Sequence, residues 1–187
     1  MASLFRDKRG LSQVVTTLII LVVSVLLAGV VTYYATNITM TRTEQEDVSI
    51  SKQHIWVNST GSLAAFMLQN LGGKDILIDK IEIRGVEADW STVFFERIPS
   101  GSSFTDDFSV QNPTLFNGSS TSVPVGSYTY DQASEDIPVQ SGGVLLFYIY
   151  SPDNISVDDI GKTVSITVYT MNGQYIVECN VESATTQ

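Results

Sequence analysis

Between Gly10 and Thr41 the chain carries no Lys, Arg, Asp or Glu, a gap of 32 positions in 187 residues. Within that gap Val14 to Ala35 is almost wholly apolar. About 20 apolar residues in helical form span the hydrocarbon core of a bilayer, so this segment can cross one with turns to spare. Arg6, Lys8 and Arg9 stand directly before it. Basic residues on one flank hold that flank in the cytoplasm, which predicts an inside N-terminus and export of everything after the helix.

The form of this N-terminus separates two kinds of export signal. A secretory signal has a short apolar region and then a small-residue cleavage site. Here the run is too long, and Ala28-Gly29 leads into Val30-Val31-Thr32-Tyr33-Tyr34 with no turn chemistry. The plausible cut lies before the apolar run, at Gly10/Leu11, where Gly10 offers no side chain to obstruct a protease at the membrane surface.

Met1 to Gly10 followed by Leu11-Ser-Gln-Val-Val-Thr-Thr-Leu-Ile-Ile and its continuation to Val31 resembles a class III signal peptide and core helix. That arrangement belongs to the type IV pilin superfamily, and the likeness is greatest to archaeal pilins and archaellins. The resemblance implies a prepilin-peptidase cut after Gly10, removal of residues 1–10, and Leu11 as the mature N-terminus. It also implies the pilus assembly machinery and other copies of the chain as partners. Bacterial pilins usually carry Glu at the fifth mature position; this chain has Val15 there, which favours the archaeal branch. Read without the resemblance, the same residues describe an uncleaved membrane anchor.

Residues 11–48 are expected to form the helix. It is rich in Val, Ile and Thr, poor helix formers in water, but a lone spanning segment must satisfy its own backbone hydrogen bonds. Ser24, Ala28, Thr32 and Thr36 recur every four residues and so line one strip of the surface. Small side chains in that spacing let helix backbones approach closely. Leu18, Leu21 and Val25 lie on the opposing surface, and Tyr33 and Tyr34 suit the outer interface.

Residues 49–187 suffice for one domain with its own core. Without residues 1–10 the chain keeps 7 basic against 19 acidic residues, a balance that disfavours nucleic acid as a partner. Cys179 is the only cysteine, so packing rather than an intrachain disulfide must hold the domain. It sits in the alternation Val177-Glu-Cys-Asn-Val181 on the apolar side and reads as a core residue. His54, the only histidine, has no metal-ligand partner nearby in sequence.

Strands are expected at 49–57, 63–69, 75–84, 92–98, 144–150, 163–170 and 175–181. The last two flank Asn172-Gly173, a strong hairpin cue because both residues tolerate positive φ. Many short strands separated by Gly- and Pro-marked turns point to a β-sandwich. Phe66 to Gly73 followed by Asp75 to Gly85 is similar to the strand, Asn-x-Gly turn and strand of immunoglobulin-like ectodomains in archaeal pilins and archaellins. The stretch 99–140, with scattered apolar residues, reads as long exposed loops with short edge strands.

Asn37, Asn58, Asn117 and Asn154 each begin an Asn-x-Ser/Thr sequon, a glycan acceptor on an exported surface; Asn58, Asn117 and Asn154 fall in turn-like contexts. Catalysis finds no motif: there is no Gly-x-Ser-x-Gly elbow, phosphate loop or metal-binding His pair, and no cofactor is called for. Asp106-Asp107 and Asp158-Asp159 read as solvated loop acids. Tyr128, Tyr130, Tyr148 and Tyr150 suit either an adhesive surface or the core, with alternation favouring packing for the last two. The expectation is therefore a structural subunit of a cell-surface filament that serves adhesion. An archaellin of a motility filament and a permanently anchored, envelope-binding β protein remain as alternatives.

Overall fold

A computed structural model describes residues 8–99, 102–116 and 120–184, without the side chains of 8, 9 and 41–44. Arg6 and Asn117 lie outside the described residues. The chain divides after Thr43 into a helix and a β domain.

The helix, α1, runs Lys8–Glu44. It contains no proline, and its 37 residues give a length of about 56 Å at 1.5 Å per residue. The sequence expectation set its end at 48; the backbone leaves the helix at Glu44, and Gln45-Glu46-Asp47 lead into the first strand.

The β domain has the strands β1 Val48–Asn58, β2 Gly61–Asn70, β3 Ile76–Ile83, β4 Val86–Glu87, β5 Val93–Ile98, β6 Ser122–Val125, β7 Tyr128–Gln132, β8 Ile137–Val139, β9 Val144–Tyr150, β10 Thr163–Thr170 and β11 Gln174–Ser183. A long apolar helix followed by an all-β domain is thus the observed class. The strands join in one curled sheet, in the order β4-β3-β10-β11-β1-β2-β9-β5-β7-β6, with β8 also on β3. Neighbours are antiparallel except β1 and β11, which pair in parallel with Ile55 opposite Val181.

Curling brings the half containing β3 and β10 over the half containing β2 and β9. Ile78, Ile81, Ile166 and Val168 from the one half meet Ala64, Phe66, Leu145 and Phe147 from the other. Phe66 and Phe147 stack at 4.9 Å. Burying such side chains contributes about 1.5–3 kcal/mol each, so this inner core dominates the stability of the domain.

A second core lies on the outer face of β2 and β9. Leu63, Ala65, Leu146 and Tyr148 point there, which is why β2 and β9 are continuous apolar runs rather than alternating ones. Phe104, Phe108 and Phe116, all in the stretch expected to be exposed loop, cover this face and are themselves buried. The reason for the difference is dilution: these phenylalanines stand four and eight residues apart among Ser, Thr, Asp and Asn, so no continuous apolar run marks them as core.

The β10–β11 hairpin forms as expected, but its turn does not use positive φ at either Asn172 or Gly173. Gly173 instead sits close against a side chain. A Cβ there would stand 3.1 Å from the Tyr175 ring, so another residue would push that ring aside by a few tenths of an ångström.

Both flanks of the sheet are blunted. The edge strand β6 contains Pro124, and β8, beside β3, contains Pro138; β4 is only two residues long. Proline removes the donor that an added strand needs.

Candidate assembly surface

Large apolar side chains from Leu11 to Met40 are all between 47 and 74% exposed, so the whole circumference of α1 is apolar. This is the one helix long and apolar enough to cross a membrane among the described residues. Its hydroxyls do not ask for water. Ser24 Oγ donates to the Ile20 carbonyl at 2.7 Å, Thr32 Oγ1 to Ala28 at 2.8 Å and Thr36 Oγ1 to Thr32 at 2.8 Å. Back-bonding of this kind satisfies the hydroxyl within its own helix. Ser24, Ala28, Thr32 and Thr36 therefore form a strip that is low in relief and free of unmet polar demand. Gly29 beside Ala28 lowers the surface further, with nothing within 4 Å of where its Cβ would be.

Gly10 and Leu11 are exposed near the start of α1, and Lys8 and Arg9 are in its first turn. A protease reads an extended strand, so a cut at Gly10/Leu11 requires the first turns to unwind. Helix ends fray readily because their first amide groups lack partners.

The segment that leads from helix to sheet is held by two loops of the β domain. The Asp47 carbonyl accepts the backbone N–H groups of Leu71 and Gly72, at 2.7 and 3.1 Å. Glu46 accepts the Thr170 hydroxyl at 2.9 Å and the Asn172 amide on its other oxygen. Gly72 is obligatory here, since a Cβ would stand 2.8 Å from the Gln45 carbonyl oxygen. Asn70, fully buried, ties this corner together: its Nδ2 donates to the carbonyls of Lys74 and Gln140, and its Oδ1 accepts Gly72 N–H at 3.0 Å. The Asn-x-Gly turn legible in the sequence is therefore the corner that grips residues 45–47.

The sequons differ in availability. Asn37 is exposed on α1. Asn58 closes the β1–β2 turn with its Oδ1, which accepts from Thr60 and Gly61, while its Nδ2 makes no hydrogen bond among the described residues. Asn154 is engaged: its Nδ2 donates to the Arg84 carbonyl at 3.0 Å, and its Oδ1 is sealed without a partner.

One acid departs from the expectation of solvated loops. Asp159 is buried and lies 3.1 Å from Arg84 and 2.8 Å from Lys162. The Lys162 hydrogen bond, then the Ser156 backbone N–H, hold its carboxyl far below the usual range. Asp107 is an exposed loop acid, as expected; it accepts from His54 Nε2 at 3.2 Å, and although burial opposes the shift, the Phe108 N–H and His54 together lower its carboxyl. His54 in turn stacks on Trp56 at 5.0 Å, so this histidine pins a loop. Cys179 is half-buried on the core side, and burial pushes its thiol up to about 11.

Comparison with known protein families and with curated proteins finds no match for this chain.

Proposed function

We propose that this chain is the structural subunit of a cell-surface filament of the archaeal type IV pilus kind. It is stored in the cytoplasmic membrane through α1 and polymerises through the same helix once the leader is cut after Gly10. The observation that carries the reading is the all-round apolar surface from Gly10 to Met40. At 1.5 Å per residue this stretch is about 46 Å long, against about 30 Å of bilayer core. A lone anchor leaves Ile38 and Met40 uncovered; neighbouring helices in a bundle cover the full length.

The energetics favour direct transfer from lipid to bundle. Exposing the helix to water costs about 25 cal/mol per Å², so α1 must leave lipid only as it meets other copies. The leader charges oppose this, because burying Arg6, Asp7, Lys8 and Arg9 in a dry bundle costs more than pairing returns. Pro124 and Pro138 keep the sheet from recruiting neighbours by strand addition, which leaves the helix as the polymerising element. The β domain then coats the filament and presents surfaces for adhesion.

Mass spectrometry and electron microscopy of surface material test the reading together. Filaments whose subunits begin at Leu11, lost when Gly10 is replaced by Trp, are the expected result. Chains that stay single in the membrane and begin at Met1 would make this a permanent anchor instead. Loss of swimming on deletion of the gene would turn the pilus into a motility filament.

A further inference from the structure

The loop 102–116 does more than cover the outer core. Between it and the β6–β7 turn at Gly126-Ser127 lies a cavity of about 200 Å³, walled by Phe104, Phe108, Tyr128 and Tyr130 and bordered by Asp106 and Asp107. The loop is fixed in place from β1. A register shift after Ser51 puts Lys52 at φ 53°, and its ammonium donates to the carbonyls of Phe104 and Asp106. His54 holds Asp107 from the same bulge. The cavity is thus built by packing and hydrogen bonds rather than left between mobile surfaces.

A buried residue of its wall has an unspent group. Tyr130 is only 2% exposed, yet its hydroxyl has no hydrogen-bond partner among the described residues. It is not among the polar atoms sealed from solvent, so it borders the cavity. Tyr148, by contrast, spends its hydroxyl on the Ser109 carbonyl at 2.9 Å. Water in the cavity meets this hydroxyl, and an occupant that accepts from it takes that water's place while adding contact with the aromatic walls.

We infer that this cavity binds a neutral sugar ring. The lining residues include acids and no base, and the nearby Lys52 ammonium is spent on two loop carbonyls, which disfavours an anion. An alkylammonium suits the aromatic walls and the carboxylates, but it has no acceptor to offer the Tyr130 O–H. A hydroxyl both donates and accepts. Vicinal hydroxyls of one pyranose therefore meet the acceptors Asp106 and Asp107 and the donor Tyr130 together, while the C–H face of the ring lies against the aromatic walls. The inference does not depend on polymerisation.

The test uses the full chain in a detergent without a sugar headgroup. Saturation-transfer NMR is run with methyl glycosides of glucose, mannose, galactose and N-acetylglucosamine, and with tetramethylammonium as the cationic counter-probe. Transfer to at least one glycoside is expected. Tyr130→Phe, which removes only the hydroxyl, is expected to weaken it about tenfold, the equivalent of one hydrogen bond. Asp106→Asn, at an exposed position, is expected to weaken it as well. Silence from every glycoside overturns the proposal, as does tetramethylammonium binding more tightly than all of them. Equal affinity of the parent chain and the Tyr130→Phe variant overturns it too.

Discussion

The Thr170 hydroxyl donates to Glu46 Oε2 across 2.9 Å, joining the tip of the last hairpin to the residues that lead into the first strand. Thr170 serves twice, because its Oγ1 also accepts the Gly173 N–H at 3.0 Å. Thr170→Val keeps the shape of the side chain and removes both bonds. The expected loss of stability is about 1–2 kcal/mol, read from urea denaturation. Faster amide exchange at Gly173 should accompany it, and an unchanged midpoint would mean that water replaces both bonds without cost.

At the strip on α1, Ala28→Leu adds a branched side chain where the surface is lowest. Membrane insertion and the fold of the β domain should be unaffected, and filaments should disappear. Normal filaments from this variant would show that the strip does not face a neighbouring helix.

Glycan attachment should follow the freedom of the amide nitrogen. Asn58 is expected to be occupied and Asn154 bare in chains modified after folding, as read by glycopeptide mass spectrometry. Occupancy of Asn154 with Asn58 bare would place attachment before folding, when the bond to Arg84 does not yet exist.

Asp159 makes the domain sensitive to acid. Its carboxyl titrates lower in the folded state than the ordinary value of about 3.9 for Asp. A group with a depressed folded pKa contributes stability above its unfolded pKa and loses it as pH falls toward the folded value. Thermal melts should therefore drop as pH falls below about 4. Asp159→Asn should melt lower than the parent at pH 6, and the gap between the two should narrow steadily as pH falls below about 4. Parallel curves over that range would assign the acid sensitivity elsewhere.

Local pattern accounts for what the sequence reveals about this fold. Val164, Ile166 and Val168 alternate with outward residues, and the run Val144–Tyr150 is apolar throughout, so β10 and β9 are visible without a partner strand. The uncharged gap makes α1 equally plain. Long-range choices are not visible in this way. Nothing local says that β11 lies between β10 and β1, because strand order depends on how the whole sheet closes. The grip on Gln45–Asp47 is hidden for the same reason, although the sequence does mark Asn70 to Gly72 as a turn. Phe104, Phe108 and Phe116 lie in a stretch without periodicity, where composition suggests solvent. Of the cavity, only the tyrosines Tyr128, Tyr130 and Tyr148 stand out in the sequence; the loop that completes it does not.

The parallel pairing of β1 with β11 also has a mechanical meaning. Residue 184 is bonded to the Val57 carbonyl, nine residues along β1 from Val48, or about 30 Å at the rise of a strand. A force applied between residues 47 and 184 pulls two adjacent parallel strands in opposite directions along their own axes. Their bonds are loaded all at once in shear, rather than opened one after another like a zip, and this is the direction in which the β domain best resists being drawn out.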